Sequence, residues 1–563
     1  MQRKSFHTFV ILAGIALALP LTFKVAVAVV IPPSAESGVV TQGLGGKERP
    51  PSSIEAPVPI PKMDEITGKA STGKVFVLKS VVLDHSTVYT SESFKSIYKE
   101  YLGEKVSFAD LNTIAHDMTR QYRNDGYVFS RVIITPQKIA NGVVHFQAVE
   151  GRIANVSIVG TFKDDHGVIR RMANKIMSSG PANTKVIERY LLLINDLPGV
   201  KARSFIKPSK TVGAGDLVID TEEKKLEGSI SFDDRGSKPL GPFRGQAVGA
   251  INDAFGIHDR TTVRGISASQ TQELRYGEIT HEEQLGSEGF RLKGRFASTD
   301  TAPGGNISNL AIKGYTSLFD LEGLYPVVRG RQMNINLITS FNLLNSSTDV
   351  AGINVSKDRV RHVRAAGHLD FTDSLRGVNQ FDLELTHGLK ALNATDDGIG
   401  RSRANGEHDF MRANLTATRI QELWGDWSLY LSATGQASND PLLASEEFTV
   451  GGESYGRAYD SGEIAGDKGY AGVGEIRYGQ LIQGDLVKSY QLYAFLDSGR
   501  VINIDPAVGE NGTASLTSTG GGVRFNLAHD FLGYLEADVP LTRQVASENN
   551  NATRIFLSLL KRF

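Results

Sequence analysis

Met333-Asn334-Ile335-Asn336-Leu337-Ile338-Thr339-Ser340-Phe341 decides the fold class. Met333, Ile335, Leu337, Thr339 and Phe341 lie on one face of an extended chain, and Asn334, Asn336, Ile338 and Ser340 on the other. Successive side chains of a strand point to opposite faces, so this spacing is that of a sheet with one apolar and one polar side. The same period recurs upstream, where Leu226, Gly228, Ile230 and Phe232 alternate with Glu227, Ser229, Ser231 and Asp233. Downstream, Phe381, Leu383 and Leu385 alternate with Asp382, Glu384 and Thr386, and Trp427, Leu429, Leu431 and Ala433 with Ser428, Tyr430, Ser432 and Thr434. About 16 such segments run to the C-terminus, at roughly 20 residues per strand and connection. A soluble sheet alternates in the same way. Strands of ~10 residues are long enough to cross a bilayer when tilted. The pattern also persists from Leu226 to Phe563 without a helical interruption. Together with an export signal, this predicts a mainly β chain whose residues 226–563 form a 16-stranded antiparallel transmembrane barrel. Its last strand, Arg554 to Phe563, places Ile555, Leu557, Leu559 and Phe563 on one face.

The export signal occupies residues 1–28. Arg3 and Lys4 precede an apolar run from Phe9 to Phe23, and Ala26-Val27-Ala28 is a small-residue cleavage site. No other stretch approaches the ~20 apolar residues of a membrane helix. Composition narrows the function. The 61 basic and 62 acidic residues leave no net field to draw nucleic acid. The chain has no cysteine, which removes disulfides and thiolate sites. The 12 histidines show no metal-ligand spacing. No cofactor is expected.

Residues 29–74 read as a Pro/Gly-rich extended linker, with Pro57-Val58-Pro59-Ile60-Pro61 at its centre. Two small α/β units follow, at 75–151 and 152–222. In the first, Val75 to Leu83 reads as a strand, and Phe94, Ile97, Tyr98, Tyr101 and Leu102 mark one face of a helix. Ser107 with Asp110 opens a second helix through a capping box, with Leu111, Ile114, Ala115, Met118 and Tyr122 as its apolar face. Tyr127 to Ile134 and Val143 to Val149 complete the order β-α-α-β-β, joined at the Asn141-Gly142 turn. The second unit repeats that order. Its strands are Ile153 to Val159, Val200 to Ile206 and Asp216 to Thr221. Its helices lie over Val168 to Met177 and around Ile187, Tyr190, Leu191 and Ile194.

Two segments of the barrel region stand apart. Val450-Gly451-Gly452-Glu453-Ser454-Tyr455-Gly456-Arg457-Ala458-Tyr459 lies in a long polar stretch between strands. Phe495-Leu496-Asp497-Ser498-Gly499 lies within a strand whose Gln491, Tyr493, Phe495, Asp497 and Gly499 face the lumen. A carboxylate on a wide lumenal wall is expected to be solvated, as are Glu446, Glu447, Asp460 and Asp467. Gly452 to Gly456 also fits G-x-S-x-G, but a hydrolase elbow needs a buried strand before it and a helix after it. Glycines and charges follow instead.

These motifs resemble those of two-partner secretion transporters, the haemolysin and filamentous-haemagglutinin secretion family. Gly456, Arg457 and Tyr459 match the family's Val-Arg-Gly-Tyr/Phe loop motif, with Ala458 in place of glycine. Phe495, Asp497 and Gly499 match its Phe-x-Asp-x-Gly strand motif. In the second α/β unit, the segment containing Arg189, Tyr190, Asn195, Asp196, Pro198 and Gly199 resembles the signature of a polypeptide-transport-associated (POTRA) domain. Tyr122, Gly126-Tyr127, Pro136-Gln137 and Glu150-Gly151 resemble that of the first. The resemblance implies an outer-membrane translocator with POTRA domains in the periplasm that capture an unfolded exoprotein of adhesin or haemolysin type. It implies a loop held in the lumen by an Arg457–Asp497 pair. Outer-membrane lipid and the barrel-assembly machinery are the further partners implied. Alternatives are an insertase of the same superfamily or a barrel receptor for a small ligand. Some family members carry a helix before the linker that plugs the pore. Residues 32–73 show no amphipathic spacing, so closure by a loop is expected here instead.

Overall fold

The structure is a computed structural model and describes residues 32–45 and 75–563, except 163, 165–166, 212, 396–399 and 507–509. The expected export signal lies outside the described residues.

Sixteen strands, from Leu226–Asp233 to Arg554–Arg562, pair antiparallel in chain order. The ring closes where Ser558 to Arg562 meets Asp233 to Ser229. The period-two pattern maps onto this wall inside out. Leu337 (54% exposed), Leu383 (48%) and Leu496 (57%) face outward, whereas Asn334, Asp370 and Thr386 are buried. An apolar belt outside and a polar interior suit a barrel immersed in lipid, because a closed barrel leaves no unpaired edge in hydrocarbon. Strands Met333–Val350 and Ile353–Thr372 are 18 and 20 residues long. At ~3.3 Å per residue they exceed what a bilayer crossing needs and rise beyond its far side.

Each α/β unit precedes the barrel as a three-stranded sheet with helices on one face. In the first, Val143–Val149 lies between Ser80–Asp84 (parallel) and Arg131–Ile133 (antiparallel). Ser107 and Asp110 form the expected capping box at the start of helix Phe108–Asn124. Tyr122 and Met118 on its inner face are fully buried with Phe94 and Phe146. Three expectations change in detail. The strand read from Val75 to Leu83 is two short ones, Phe76–Val77 paired with Lys105–Val106 and Ser80–Asp84 in the main sheet. The helix read over Phe94 to Leu102 is a chain of short turns around Lys95–Tyr98, although Phe94 and Tyr98 still enter the core. The strand read from Tyr127 begins only at Arg131. The Tyr127 N–H closes the preceding helix on the Tyr122 carbonyl, and the Ser130 N–H bonds to the Tyr127 carbonyl, so those residues form a turn. In the second unit, Ala214–Glu223 is flanked by Arg152–Gly160 and Val200–Pro208. Helices Val168–Ser178 and Thr184–Asn195 cover the sheet through Ile169, Met172, Leu193 and Ile194.

The linker reading fails over residues 32–45. Ser37–Leu44 is an α-helix packed against barrel strands Phe290–Thr301, Ile312–Arg329 and Met333–Val350. Its sequence hides it. Two glycines in eight residues each cost a helix roughly 1 kcal/mol, and there is no apolar stripe because the surrounding wall is hydroxyl-rich.

Candidate functional site: a loop and a helix inside the lumen

The segment between strands Trp427–Ser438 and Lys468–Leu481 does not stay at the barrel mouth. It folds inward as a hairpin, Phe448–Val450 paired with Ile464–Gly466. Phe448, Val450, Ala458, Tyr459 and Ile464 pack with Ala471, Val501 and Leu516 of the wall. Gly499 allows this approach, since a Cβ there would stand 2.6 Å from Val450 Cγ1. Gly456 turns the tip with φ +81°, a left-handed backbone that glycine adopts without steric cost.

Arg457 is the centre of the contact, and its geometry differs from the expected pair. Its backbone N–H, not its guanidinium, donates to Asp497 Oδ2 at 3.0 Å. The guanidinium reaches Glu475 at 2.6 Å and Glu536 at 3.5 Å, with its Cζ 4.3 Å from the centre of the Phe495 ring. Asp497 also accepts from Ser518 Oγ. The Asp497 carboxylate is therefore a backbone clamp on the loop tip, and the charge of Arg457 is met by Glu475 one strand to one side and Glu536 two strands to the other. Asp497 is 1% exposed rather than solvated, because the loop covers the wall. The same burial overturns the reading of the loop acids as solvated. Glu446 pairs with Arg412 at 2.8 Å, Asp460 with Arg554 at 2.8 Å, Asp467 with Arg403 at 2.6 Å and Glu447 with Arg403 at 3.4 Å. Tyr459 Oη bonds to the Thr517 carbonyl at 3.1 Å and fixes the far side of the tip.

Sequence reasoning missed Glu475, Glu536 and Arg235. Glu475 is also bound by Arg477 and Arg524, each at 2.6 Å. Arg235 enters from the connection after the first barrel strand, pairs with Glu536 and donates to the Arg457 carbonyl at 2.9 Å. The only signal for the two acids was a charge at a lumenal position of an alternating strand. Many strands carry one, and strand order alone does not say which of them the tip will meet. Gly452 to Gly456 lies in this tip, between the two strands of the hairpin, and is not a strand-to-helix elbow.

Helix Ser37–Leu44 occupies the opposite side of the lumen through small polar contacts. Thr41 Oγ1 donates to Thr299 Oγ1 at 2.7 Å, and Thr316 Oγ1 to Ser37 Oγ at 2.9 Å. Gly38 lets the helix lie close to the hairpin segment, where an added Cβ would be 3.1 Å from Ser445 Cβ. Between helix and loop tip remains a cavity of about 920 Å³, bordered by Gln42, Arg295, Glu322, Arg364, Ser454 and Tyr455.

The second α/β signature does not line this lumen. Arg189 donates to the Val327 and Pro326 carbonyls at 3.1 and 3.0 Å, and Tyr190 Oη to Glu288 at 3.1 Å. Asp196 accepts from Arg329. These partners lie in the turn that holds Glu288 and at the adjoining end of strand Ile312–Arg329, so the signature seats the domain at the near end of the barrel. Gly199 abuts the barrel as well, its added Cβ falling 2.6 Å from Asn252 Cβ. Asn195 works within the domain. It accepts from the Ala202 N–H at 2.8 Å and ties helix to strand ahead of the Pro198-Gly199 turn. In the first domain, Tyr122 and Glu150 meet at 3.0 Å, and Gln137 bridges to the His145 backbone at 2.6 and 2.8 Å. Burial pushes the Glu150 carboxyl up, but donors from Thr87, Tyr122 and Val88 outweigh it and hold the group below its ordinary value.

Known proteins are similar to this chain in sequence and in fold. Residues 213–525 match the haemolysin secretion/activation protein family ShlB/FhaC/HecB, and residues 76–151 match the ShlB-type POTRA domain. The heme/hemopexin transporter protein HuxB of Haemophilus influenzae (strain ATCC 51907 / DSM 11121 / KW20 / Rd) is 23% identical over 512 residues, 88% of this chain and 89% of that protein. The outer membrane transporter CdiB of Dickeya dadantii (strain 3937) is 22% identical over 461 residues, 77% of this chain and 78% of its own. The solved structure of CdiB from Escherichia coli superposes with a TM-score of 0.76 at 19% identity, covering 91% of this chain and 95% of that one. The chain belongs to the haemolysin secretion/activation protein family ShlB/FhaC/HecB, the two-partner secretion transporters that carry an exoprotein across the outer membrane from POTRA domains in the periplasm.

Proposed function

We propose that the client is a large exoprotein of adhesin or haemolysin type, bound unfolded by the POTRA domains and passed through the lumen while Arg457 keeps the inserted loop in place. The observation that carries this reading is the seating of Arg457, 6% exposed and in contact with two carboxylates and an aromatic ring. A loop held so firmly forms part of the wall past which the client must slide. For capture, strand Val200–Pro208 is paired on one side only among the described residues, and Phe205 on it is 57% exposed. An extended client can add there as a further strand, gaining backbone hydrogen bonds with little demand on its sequence. No nucleotide-binding motif is present in the sequence, so folding of the client outside supplies the direction. The barrel-assembly machinery is the partner in biogenesis.

The test is to sequence the flanking genes and co-express any large secreted, repeat-rich reading frame found there, measuring release of its product into the medium. Wild-type protein releases it, and Arg457→Ala with normal membrane insertion does not. Normal release by Arg457→Ala removes the anchoring role. HuxB is named a heme/hemopexin transporter protein, which favours a second reading of the client as a haem- or hemopexin-binding exoprotein. Binding of haem and hemopexin by the released product separates the two.

A further inference from the structure

The contact of the second POTRA domain with the barrel does not end at the surface. Arg329, at the periplasmic end of strand Ile312–Arg329, donates Nε and Nη2 to the two oxygens of Asp196, each at 2.7 Å. Its Nη1 donates to Asn334 Oδ1 at 3.0 Å. Asn334 Nδ2 donates to Asp370 Oδ1 at 2.9 Å. The other oxygen of Asp370 is 3.2 Å from His368 Nε2, and His368 Nδ1 is 2.6 Å from Asp382 Oδ1. Carboxylates only accept, so the ring donates through both nitrogens. The pairs Arg329–Asn334, Asn334–Asp370 and His368–Asp382 lie directly opposite one another across neighbouring strands, which fixes the spacing by sheet register. Asn334 and Asp370 are 0% exposed and His368 2%, so none of these groups has water as an alternative partner. Asp382 alone opens inward. Its side chain is 41% exposed, and with His368 it borders the lumenal cavity.

We propose that His368 is a positioning residue in a file of six side chains that couples the lumen to the grip of the second POTRA domain. A lysine or arginine side chain of a passing polypeptide that takes the Asp382 carboxylate draws it from His368. Asp370 and Asn334 then hold Arg329 less firmly, and Arg329 holds Asp196 less firmly. The coupling is reciprocal, so movement of the domain also alters how Asp382 is presented to the lumen. This goes beyond the client-binding reading above, which concerns the sheet edge and the loop tip, and it stands or falls separately.

The chain contains no cysteine, so spin labels placed at Ser204→Cys on the domain and Gln483→Cys on a periplasmic turn report one distance without further substitution. Pulsed electron paramagnetic resonance on the full chain in detergent reads its distribution, and heat-modifiable gel mobility verifies the folded barrel. Asp196→Asn, His368→Gln and Asp382→Asn are each expected to broaden the distribution, shifting the docked-to-undocked ratio by roughly tenfold for the first, as loss of a charge-assisted hydrogen bond implies, and by less for the others. Asp382→Asn combined with Asp196→Asn is expected to be no broader than Asp196→Asn alone. Oligolysine added to the wild type is expected to broaden the distribution, and to have no effect on Asp382→Asn. If His368→Gln does not fold, Asp382→Asn, which keeps one acceptor oxygen at the same size and removes the charge, carries the test. The proposal is overturned if Asp382→Asn matches the wild type while Asp196→Asn broadens, if Asp196→Asn itself changes nothing, or if oligolysine acts equally on wild type and Asp382→Asn.

Discussion

The two bodies inside the lumen are held by opposite chemistry. The loop tip is clamped by charge. Arg457, Arg235, Arg403 and Arg554 each meet buried carboxylates, and Asp497 accepts from the loop backbone. Helix Ser37–Leu44 is held mainly by hydroxyls, such as Thr41 on Thr299 and Thr316 on Ser37, with single charged partners at its two ends, where Thr348 donates to Glu36 and Arg295 to the Gly45 carbonyl. Breaking one partner of a buried ion pair costs roughly 3–5 kcal/mol because the other charge is stranded. A neutral hydrogen bond contributes only about 0.5–1.5 kcal/mol net, and water in the emptied lumen replaces it. The helix is therefore expected to detach from the wall at lower cost than the loop.

Substitutions can break this contrast. The largest effect is expected for Arg457→Ala, which leaves Glu475 to Arg477 and Arg524 and Glu536 to Arg235, removes the one cation that ties both carboxylates to the loop, and frees the tip. Single-channel recordings should show large, noisy conductance. Arg457→Lys should rescue little, since an ammonium loses the planar stacking on Phe495. Conductance like the wild type in Arg457→Ala would mean that the hairpin packing alone holds the loop. Asp497→Ala comes next. It deprives the Arg457 N–H and Ser518 Oγ of their acceptor at a cost of about 1–3 kcal/mol. Asp497→Asn, which keeps one acceptor, should show clearly less of the same noise. Gly456→Ala places a methyl 2.6 Å from Leu516 Cδ1 in a left-handed backbone. About 1–2 kcal/mol of strain follows, read as a lower melting temperature of the loop-dependent transition. On the other side of the contrast, Ser37→Ala with Thr41→Val should raise the open probability without moving the melting of the barrel. Gly38→Leu should do so more strongly by colliding with Ser445. If the hydroxyl double substitution lowers barrel melting as much as Asp497→Ala, the two bodies are not held differently.

The barrel was legible because lipid imposes a rule that each strand obeys locally. Alternation such as Phe381-Asp382-Leu383-Glu384 states which side faces hydrocarbon without reference to any other strand. The α/β domains were legible for a similar reason, since the Ser107–Asp110 capping box and the Leu111, Ile114, Met118 spacing act within one helix. The loop motif was legible as a pair of segments, Gly456-Arg457 with Phe495 to Gly499, but not as a geometry. Nothing in either segment says that Asp497 takes the backbone N–H while Glu475 takes the guanidinium.

Helix Ser37–Leu44 shows the limit most plainly. Its residues carry no local helical argument, and its conformation follows from the surface that receives it, where Thr299, Thr316 and Ser346 match Ser37 and Thr41. The burial of Glu446, Asp460, Asp467 and Asp497 has the same origin. Sequence by itself determined the barrel strands, the long helices of the two α/β domains, their order and the polarity of each face, because those follow from neighbours a few residues apart. The tertiary structure alone decided which lumenal charges meet, that the loop and a glycine-bearing helix fill the pore, and that Asp196 of the second POTRA domain reaches Arg329 of the wall. Those contacts join residues on different elements, from 18 positions apart for Arg457 and Glu475 to 279 for Ser37 and Thr316, and only the assembled barrel brings them within hydrogen-bonding distance.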